Sequence, residues 1–430
     1  MSNNKLKPIA FYLPQFHPIK ENNEWWGEGF TEWTNVAKAK PNFIGHYQPH
    51  VPADLGFYDL RLERIQLDQF RLASEYGIYG FCYYYYWFNG KRLLELPLEI
   101  RLKLPSSFPF CICWANENWT RRWDGGDRHI LMSQDYLDGW VTRFFDDVFR
   151  IFAHKDYIRV DGNPLLIVYR AAQIPDVKNV VKTWRNLAIQ KGLNGLHLVA
   201  VQFHDLSDPT TIDFDAVLQF PPHCFYDEKS GYQKKLILTN PHFSGNIISY
   251  SRVAANAITQ EDDNFVRYRG VMPSWDNTPR RQNTADIFAG SSPERFEKWF
   301  QIAGYLTLKD NRLPEKFIFI NAWNEWGEGC HLEPDLRYGR SYLEKVKKVV
   351  NGLAETLPVS KLDFQSVLYE LENLPGDIDT EPSSASLNYF RLIKIITRFK
   401  WLKKLVRLLL GKQIYEKLKM KFMDIRDGFS

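Results

Sequence analysis

Short apolar runs recur along the chain, and each breaks off in polar or aromatic residues. They read PIAFYLPQF from Pro8, GIYGFCYYYYWF from Gly77, FPFCICWANEN from Phe108 and PLLIVYR from Pro164. LHLVAVQFH from Leu196, FDAVLQFPP from Phe214, YRGVMPSWDN from Tyr268 and KFIFINAWNEW from Lys316 follow. Near-continuous apolar runs of this length suit parallel strands covered on both faces. Most of the gaps carry apolar residues at helical spacing. YDLRLERIQLDQFRLASEYG closes on Gly77 as a C-terminal cap, and SQDYLDGWVTRFFDDVFRIFAH opens on Ser133 as an N-cap. VKNVVKTWRNLAIQKG and SPERFEKWFQIAGYLT repeat the pattern. Eight strands alternating with helices predict an α/β fold, a (β/α)8 TIM barrel. The alternative, an open doubly wound sheet, lacks a G-x-G-x-x-G fingerprint after its first strand. Insertions over 16–58 and 221–267 interrupt the alternation, and long insertions after barrel strands shape the active face.

The pattern changes late in the chain. A barrel is expected over 1–358, an acidic linker rich in Pro and Ser over 359–387, and a basic amphipathic helical tail over 388–430. That tail holds 12 Lys and Arg against three Asp and Glu, a balance of +9 in a chain of +4, so the body is mildly acidic. Apolar residues at Leu392, Ile395, Ile396, Phe399, Leu402, Leu405, Val406 and Leu409 fall on one helical face. Such a helix suits peripheral contact with an anionic inner leaflet, or packing on protein. Five cysteines at no zinc spacing point to a reducing compartment. The N-terminus carries no signal-peptide pattern and no apolar run is long enough to span a bilayer. A cytoplasmic protein is expected, with the inner face of the plasma membrane as the place its tail would take it. No nucleic-acid partner and no cofactor is expected.

In a barrel the C-terminal strand ends meet at one face. The residues gathered there are Gln15 and His17 from the first strand, Tyr85, Tyr86 and Trp87 from the second, and Trp114, Asn116, Glu117 and Asn118 from the third. Tyr169, Gln202, His204, Gln219, Trp275 and Asp276 come from the fourth to the seventh, with Asn324, Glu325, Trp326 and Glu328 from the eighth; Trp26 joins them from the first insertion. The chain has 14 Trp, 22 Tyr and 30 Phe, and many stand near these ends. Flat apolar rings beside amides and carboxylates suit a sugar, although filling a large core is the plainer use. Making or breaking a glycosidic bond needs two acid–base groups, and Glu325 and Glu328 are the best pair. A helix cap and a solvated glutamate would explain the same two residues. Glu117 is equally suited to an ion pair with Arg121 or Arg122, and that arginine pair to a phosphate. No ligand spacing supports a metal on His17, His204, Asp276 and Glu325, so none is expected.

AFYLPQFHP, WWGEGFTEWTNV, GIYGFCYYYYWF, CWANENWTRRWDG and NAWNEWGEG with LEPD resemble the WbsX-type family of bacterial polysaccharide biosynthesis proteins. That family is related to glycoside hydrolase family 99, the endo-α-mannosidases. The resemblance covers roughly residues 8–350. It implies a metal-free barrel acting on an oligosaccharide or lipid-linked glycan. An E-W-x-E motif carries catalysis in the hydrolases, and here it reads Glu325-Trp326-Gly327-Glu328. Carried over, Glu325 is the base that deprotonates a sugar 2-hydroxyl, which closes on the anomeric carbon as a 1,2-anhydro intermediate. Glu328 is the acid that protonates the leaving oxygen and then the base that activates water. The hydrolases have a histidine where this chain has Gly327. WbsX-type proteins are usually labelled glycosyltransferases of O-antigen or capsule genes. A nucleotide-sugar glycosyltransferase and a non-catalytic glycan-binding module are the competing functions.

Overall fold

All eight apolar runs form parallel strands. They are β1 Lys7–Tyr12, β2 Gly80–Phe88, β3 Phe110–Trp114, β4 Asn163–Val168, β5 His197–Val201, β6 Ala216–Leu218, β7 Val266–Val271 and β8 Phe317–Ile320. The computed structural model describes residues 5–121, 126–206, 208–261, 264–353 and 356–378, with the side chains of 126–129 left aside. Each strand pairs with the next. Ile9 stands opposite both Gly80 and Phe319, so β1 joins β2 to β8 and closes the barrel. The strands are buried almost throughout, which is why they read as unbroken apolar runs.

The insertion after β1 carries α1 Lys20–Trp26 and α2 Glu32–Lys38, and α3 Glu63–Glu75 then returns to β2. The helices α4 Leu96–Arg101, α5 Trp140–Phe152, α6 Val177–Gln190 and α7 Tyr250–Ile258 follow β2, β3, β4 and β6. A short 3-10 turn, Pro209–Ile212, joins β5 to β6. After β7 come α8 Thr278–Arg281 and α9 Pro293–Lys309, and after β8 comes α10 Ser341–Gly352. Gly77 takes the left-handed conformation after α3, φ +86°, as a C-terminal cap requires. Ser133 does not cap α5. Its hydroxyl turns to Asp135, 2.6 Å away, and the helix starts at Trp140, after left-handed Gly139.

Alternation along β2 and β3 decides which aromatics line the lumen. Tyr85, Trp87 and Trp114 are buried and point outward, against Phe144 of α5. Trp114 also packs on Trp140 and Trp184, and Tyr85 donates to Asp147 at 2.6 Å. Burying each such ring contributes about 1.5–3 kcal/mol, so these three residues are wall, not pocket. Tyr84 and Tyr86 have the opposite parity and are only partly buried.

Part of the stretch expected as linker is folded. Phe364–Glu372 forms α11, which packs against α7 and α9. Arg295 of α9 donates to the carbonyl oxygens of Leu371 and Leu374 at 3.0 and 2.7 Å. Asp377 accepts from Gly290 N at 2.8 Å. Residues 379–387 of the linker and the basic tail lie outside the described residues, as does Arg122. No described helix is long and apolar enough to cross a membrane.

Candidate active site

Past β8 the chain turns sharply. Asn324 and Glu325 pair antiparallel with Cys330 and His331, and Trp326–Glu328 form one 3-10 turn between them. Left-handed Gly329, φ +56°, closes that turn. Two buried anchors fix it. Asn324 donates to Leu13 O at 3.0 Å and accepts from Leu13 N at 2.7 Å, which ties β8 to the end of β1. Trp326 donates through Nε1 to Glu333 at 2.7 Å and stacks on His331 with ring centroids 3.7 Å apart. Glu333 also accepts from Tyr58 and Gln69. Burial pushes its pKa up to about 7 even though these donors favour the carboxylate. Asn324 and Trp326 are fully buried, and these bonds use them to hold the turn.

The turn presents Glu325 and Glu328 to one arginine. Arg280, on α8, reaches Glu328 Oε1 through Nη1 at 2.6 Å and both oxygens of Glu325 through Nη2 at 3.0 and 3.2 Å. Its Nε and Nη2 also donate to the two oxygens of Glu32 at 3.1 and 2.8 Å. Glu32 sits on α2, fully buried, and accepts from Asn35 as well. Gly327 lies under this pair: a β-carbon there would stand 2.5 Å from Glu32 Oε1 and 2.8 Å from Arg280 Nε. Only glycine leaves that room. Burial raises the Glu325 pKa well above the carboxylate range; Arg280 opposes this, and the nearby Glu328 and Glu32 add to it. Burial works against the charge on Arg280, but the three carboxylates more than offset it. The two glutamates also differ in access. The Glu325 side chain is 6% exposed and that of Glu328 23%. An acid–base pair with unequal surroundings is what proton exchange with a substrate needs.

Tyr84 and Tyr86 of β2 and Tyr169 beyond β4 stand around this centre. Glu325 lies within electrostatic reach of Tyr84 and Tyr86, and Glu328 within reach of Tyr86 and Tyr169. Tyr169 OH is 3.2 Å from His223 Nε2, and His223 stacks on Phe220 and meets Trp275 edge-on. Farther out, Trp119 touches Trp25 and Tyr86, and Arg121 lies over the Trp26 ring at 5.5 Å. Glu117 pairs with Arg170 at 3.5 Å, and Arg170 reaches Asp205 and stacks on Phe203. These rings and hydroxyls match the mixed apolar and polar surface of a sugar.

Other candidates from the sequence are placed elsewhere. Asn116 links the loops after β3 and β4 by bonds to Tyr136 and to the backbone of Arg170. Asp276 accepts from His46 and Gln48, both at 2.6 Å. Burial would raise its pKa, but His46 and these bonds hold it at about 2. Gln15 is buried and its backbone carbonyl accepts from Glu32 N, while His17 is buried beside Asp59, where burial drives its pKa down to about 4. Gln202 is buried and His204 is exposed at the end of β5; Gln219 donates to Gln260 and to the carbonyl of Ala257. The set His17, His204, Asp276 and Glu325 is not brought together as metal ligands. Among the described residues His50, His331 and Asp335 are the three that approach closely enough to share an ion. His331 Nδ1 lies 2.8 Å from the carbonyl of Glu333, so it carries the proton and leaves Nε2 to accept from His50 Nδ1 at 2.9 Å. Burial lowers the pKa of both imidazoles. They line a cavity of about 30 Å³ beside the turn at Gly329, large enough for water. Sequence reasoning missed Glu32, Arg280, Tyr84 and His223.

A family model described as "Glycosyltransferase WbsX" matches residues 8–346. "Uncharacterized protein WxcX" from Xanthomonas campestris pv. campestris, strains ATCC 33913 and B100, is 42% identical over 343 residues, covering 80% of this chain and 49% of the relative. The chain thus spans about half the length of the curated relatives it matches. A solved "Glycoside hydrolase-like protein" is similar at 17% identity and TM-score 0.50, over 80% of this chain and 94% of that one. The GH99 endo-alpha-mannosidase from Bacteroides thetaiotaomicron is similar at 15% identity and TM-score 0.48, over 82% and 98%.

Proposed function

The chain belongs to the WbsX glycosyltransferase family, and from that footing we propose a carbohydrate-active enzyme that cleaves or transfers glycosidic bonds in a bacterial surface polysaccharide, O-antigen or capsule. The observation that carries this reading is the placement of Glu325 and Glu328 on one turn, bridged by Arg280, among Tyr84, Tyr86 and Tyr169. In the forward step a substrate 2-hydroxyl donates to Glu325, which takes its proton as the 2-oxygen bonds to the anomeric carbon. Glu328 gives its proton to the departing glycosidic oxygen. Water or an acceptor hydroxyl then loses its proton to Glu328, attacks the anomeric carbon and opens the anhydro ring, and Glu325 returns its proton to the 2-oxygen. One proton shared by two carboxylates suffices. Burial favours keeping it on Glu325. A substrate hydroxyl donating to Glu325 stabilises the carboxylate there and moves the proton toward Glu328.

The family description, a glycosyltransferase, favours a second reading, glycosyl transfer, for which we take a nucleotide sugar as the donor. Incubation with labelled sugar nucleotides and a lipid-linked acceptor, beside the intact surface polysaccharide, separates the two. Products only from polysaccharide support the first; incorporation of label supports the second. Glycan binding that survives Glu325→Gln with Glu328→Gln, with no product from any substrate, would leave a binding protein. The proposal places the enzyme in the cytoplasm, with residues 388–430 making peripheral contact at the inner membrane face.

A further inference from the structure

The mechanism above uses Glu325 and Glu328 and leaves Glu32 idle. Yet Glu32 is the most enclosed carboxylate of the group, taking two bonds from Arg280 and one from Asn35. Its element, α2, belongs to the first insertion, while Arg280 stands 248 residues away on α8. Bidentate pairing fixes the plane of a guanidinium, because both N–H groups of the fork must meet one carboxylate. With Nε and Nη2 fixed on Glu32, Nη1 is aimed at Glu328 and the second hydrogen of Nη2 at Glu325. Gly327 keeps the space open.

We propose that Glu32 is a positioning residue that sets the proton affinity of the Glu325–Glu328 pair by sharing the charge of Arg280. An arginine given wholly to Glu325 and Glu328 would hold both as carboxylates and remove the acid that glycosidic bond cleavage needs. Glu32 draws on the same cation, so one proton stays on the pair. Tyr84, Tyr86, Tyr169 and Cys330 are further titratable groups that face the pair. Each adds no positive charge. The inference rests on the acid–base reading of the two glutamates for its consequence, but its test uses no substrate.

The experiment is infrared difference spectroscopy of the full ligand-free chain during a pH titration. The protonated carboxyl band of the pair is the one that Glu325→Gln removes. In Glu32→Gln its midpoint is expected to fall by about 1–3 pH units, while Glu32→Asp, which keeps the charge, stays near the parent. An unchanged or raised midpoint in folded Glu32→Gln overturns the proposal. Where that variant does not fold, the double variant Glu32→Gln with Arg280→Gln is read instead. Removing the directly bonded cation as well is expected to raise the midpoint, and an unchanged or lower value overturns the proposal. Failure to find turnover elsewhere leaves this result standing, so the two readings fail separately.

Discussion

Gly327 faces Glu32 so closely that a β-carbon on it would lie 2.5 Å from the Oε1 oxygen. Neither side can give. Glu32 is held by Arg280 and Asn35, and Gly327 sits inside a turn fixed by Asn324 and Trp326. Gly327→Ala is expected to cost about 1–3 kcal/mol of stability through this overlap. It should also lower turnover, because the displaced arginine no longer bridges the pair. Urea denaturation and product formation on the surface polysaccharide measure both. Unchanged values would mean that the turn relaxes freely.

Substituting either glutamate of the pair separates chemistry from folding. Glu328→Gln should lower turnover by roughly 10²–10⁴, the usual worth of an acid–base group. Its melting temperature should move little, since the side chain is partly exposed. Parental activity in that variant would remove Glu328 from the mechanism.

Arg280→Met makes a contrasting case. It strands Glu32 in a buried position, and breaking a buried pair from one side costs about 3–5 kcal/mol. Adding Glu32→Gln to Arg280→Met should recover part of that loss. Additive losses in a double-mutant cycle would show that the two residues do not act together.

Parity along β2 yields a sharp comparison. Tyr86→Phe should reduce turnover with little change in stability. Tyr85→Phe should do the reverse, losing about 1–2 kcal/mol with its bond to Asp147 and leaving turnover alone. Equal effects of the two on activity would contradict the placement of Tyr85 outside the lumen.

Stability should also respond to pH through Glu333. Its folded pKa, about 7, lies above the ordinary value of 4.5. The folded chain therefore binds more protons than the unfolded one across that window, and stability falls as pH rises from about 4.5 to 7. His50 acts oppositely, with a folded pKa near 4 against 6.5, so it removes stability as pH falls below 6.5. Denaturation midpoints at several pH values, compared with Glu333→Gln, check the first effect. The variant should show a flatter decline between pH 5 and 7, and an identical slope would contradict it.

A last test addresses the tail. Liposomes with anionic lipid should float the full chain and not a chain lacking residues 388–430. Equal flotation would count against membrane contact by that segment.

The barrel was legible because strands buried on both faces leave unbroken apolar runs, and the Glu325–Glu328 turn stood out as a candidate because two carboxylates among tryptophans are costly neighbours. Which side of β2 faces inward was not legible. In GFCYYYYWF both faces carry large aromatic residues, so alternation leaves no polarity contrast, and Tyr85 and Trp87 read as well as Tyr84 and Tyr86. Asn116, Asp276 and Asn324 stand at strand ends as expected, but backbone and side-chain partners consume their polar atoms. Glu32 and Arg280 escaped because nothing local marks a pairing across 248 residues. The difference at Gly327 from the hydrolase motif gains a physical reason from these same two residues, since a side chain at 327 and the Glu32–Arg280 pair compete for one space.

That pairing also bears on how the chain is made. During synthesis Glu32 leaves the ribosome long before Arg280 exists, and Glu325 and Glu328 come later still. Until β7 and β8 are in place, burying α2 in its final position would seal a carboxylate away from water without its counter-ion, at a cost of several kcal/mol. The first insertion is thus discouraged from settling early, and contacts so distant in sequence form late. The charged centre is therefore complete only once the segments after β7 and β8 have brought Arg280, Glu325 and Glu328 beside α2.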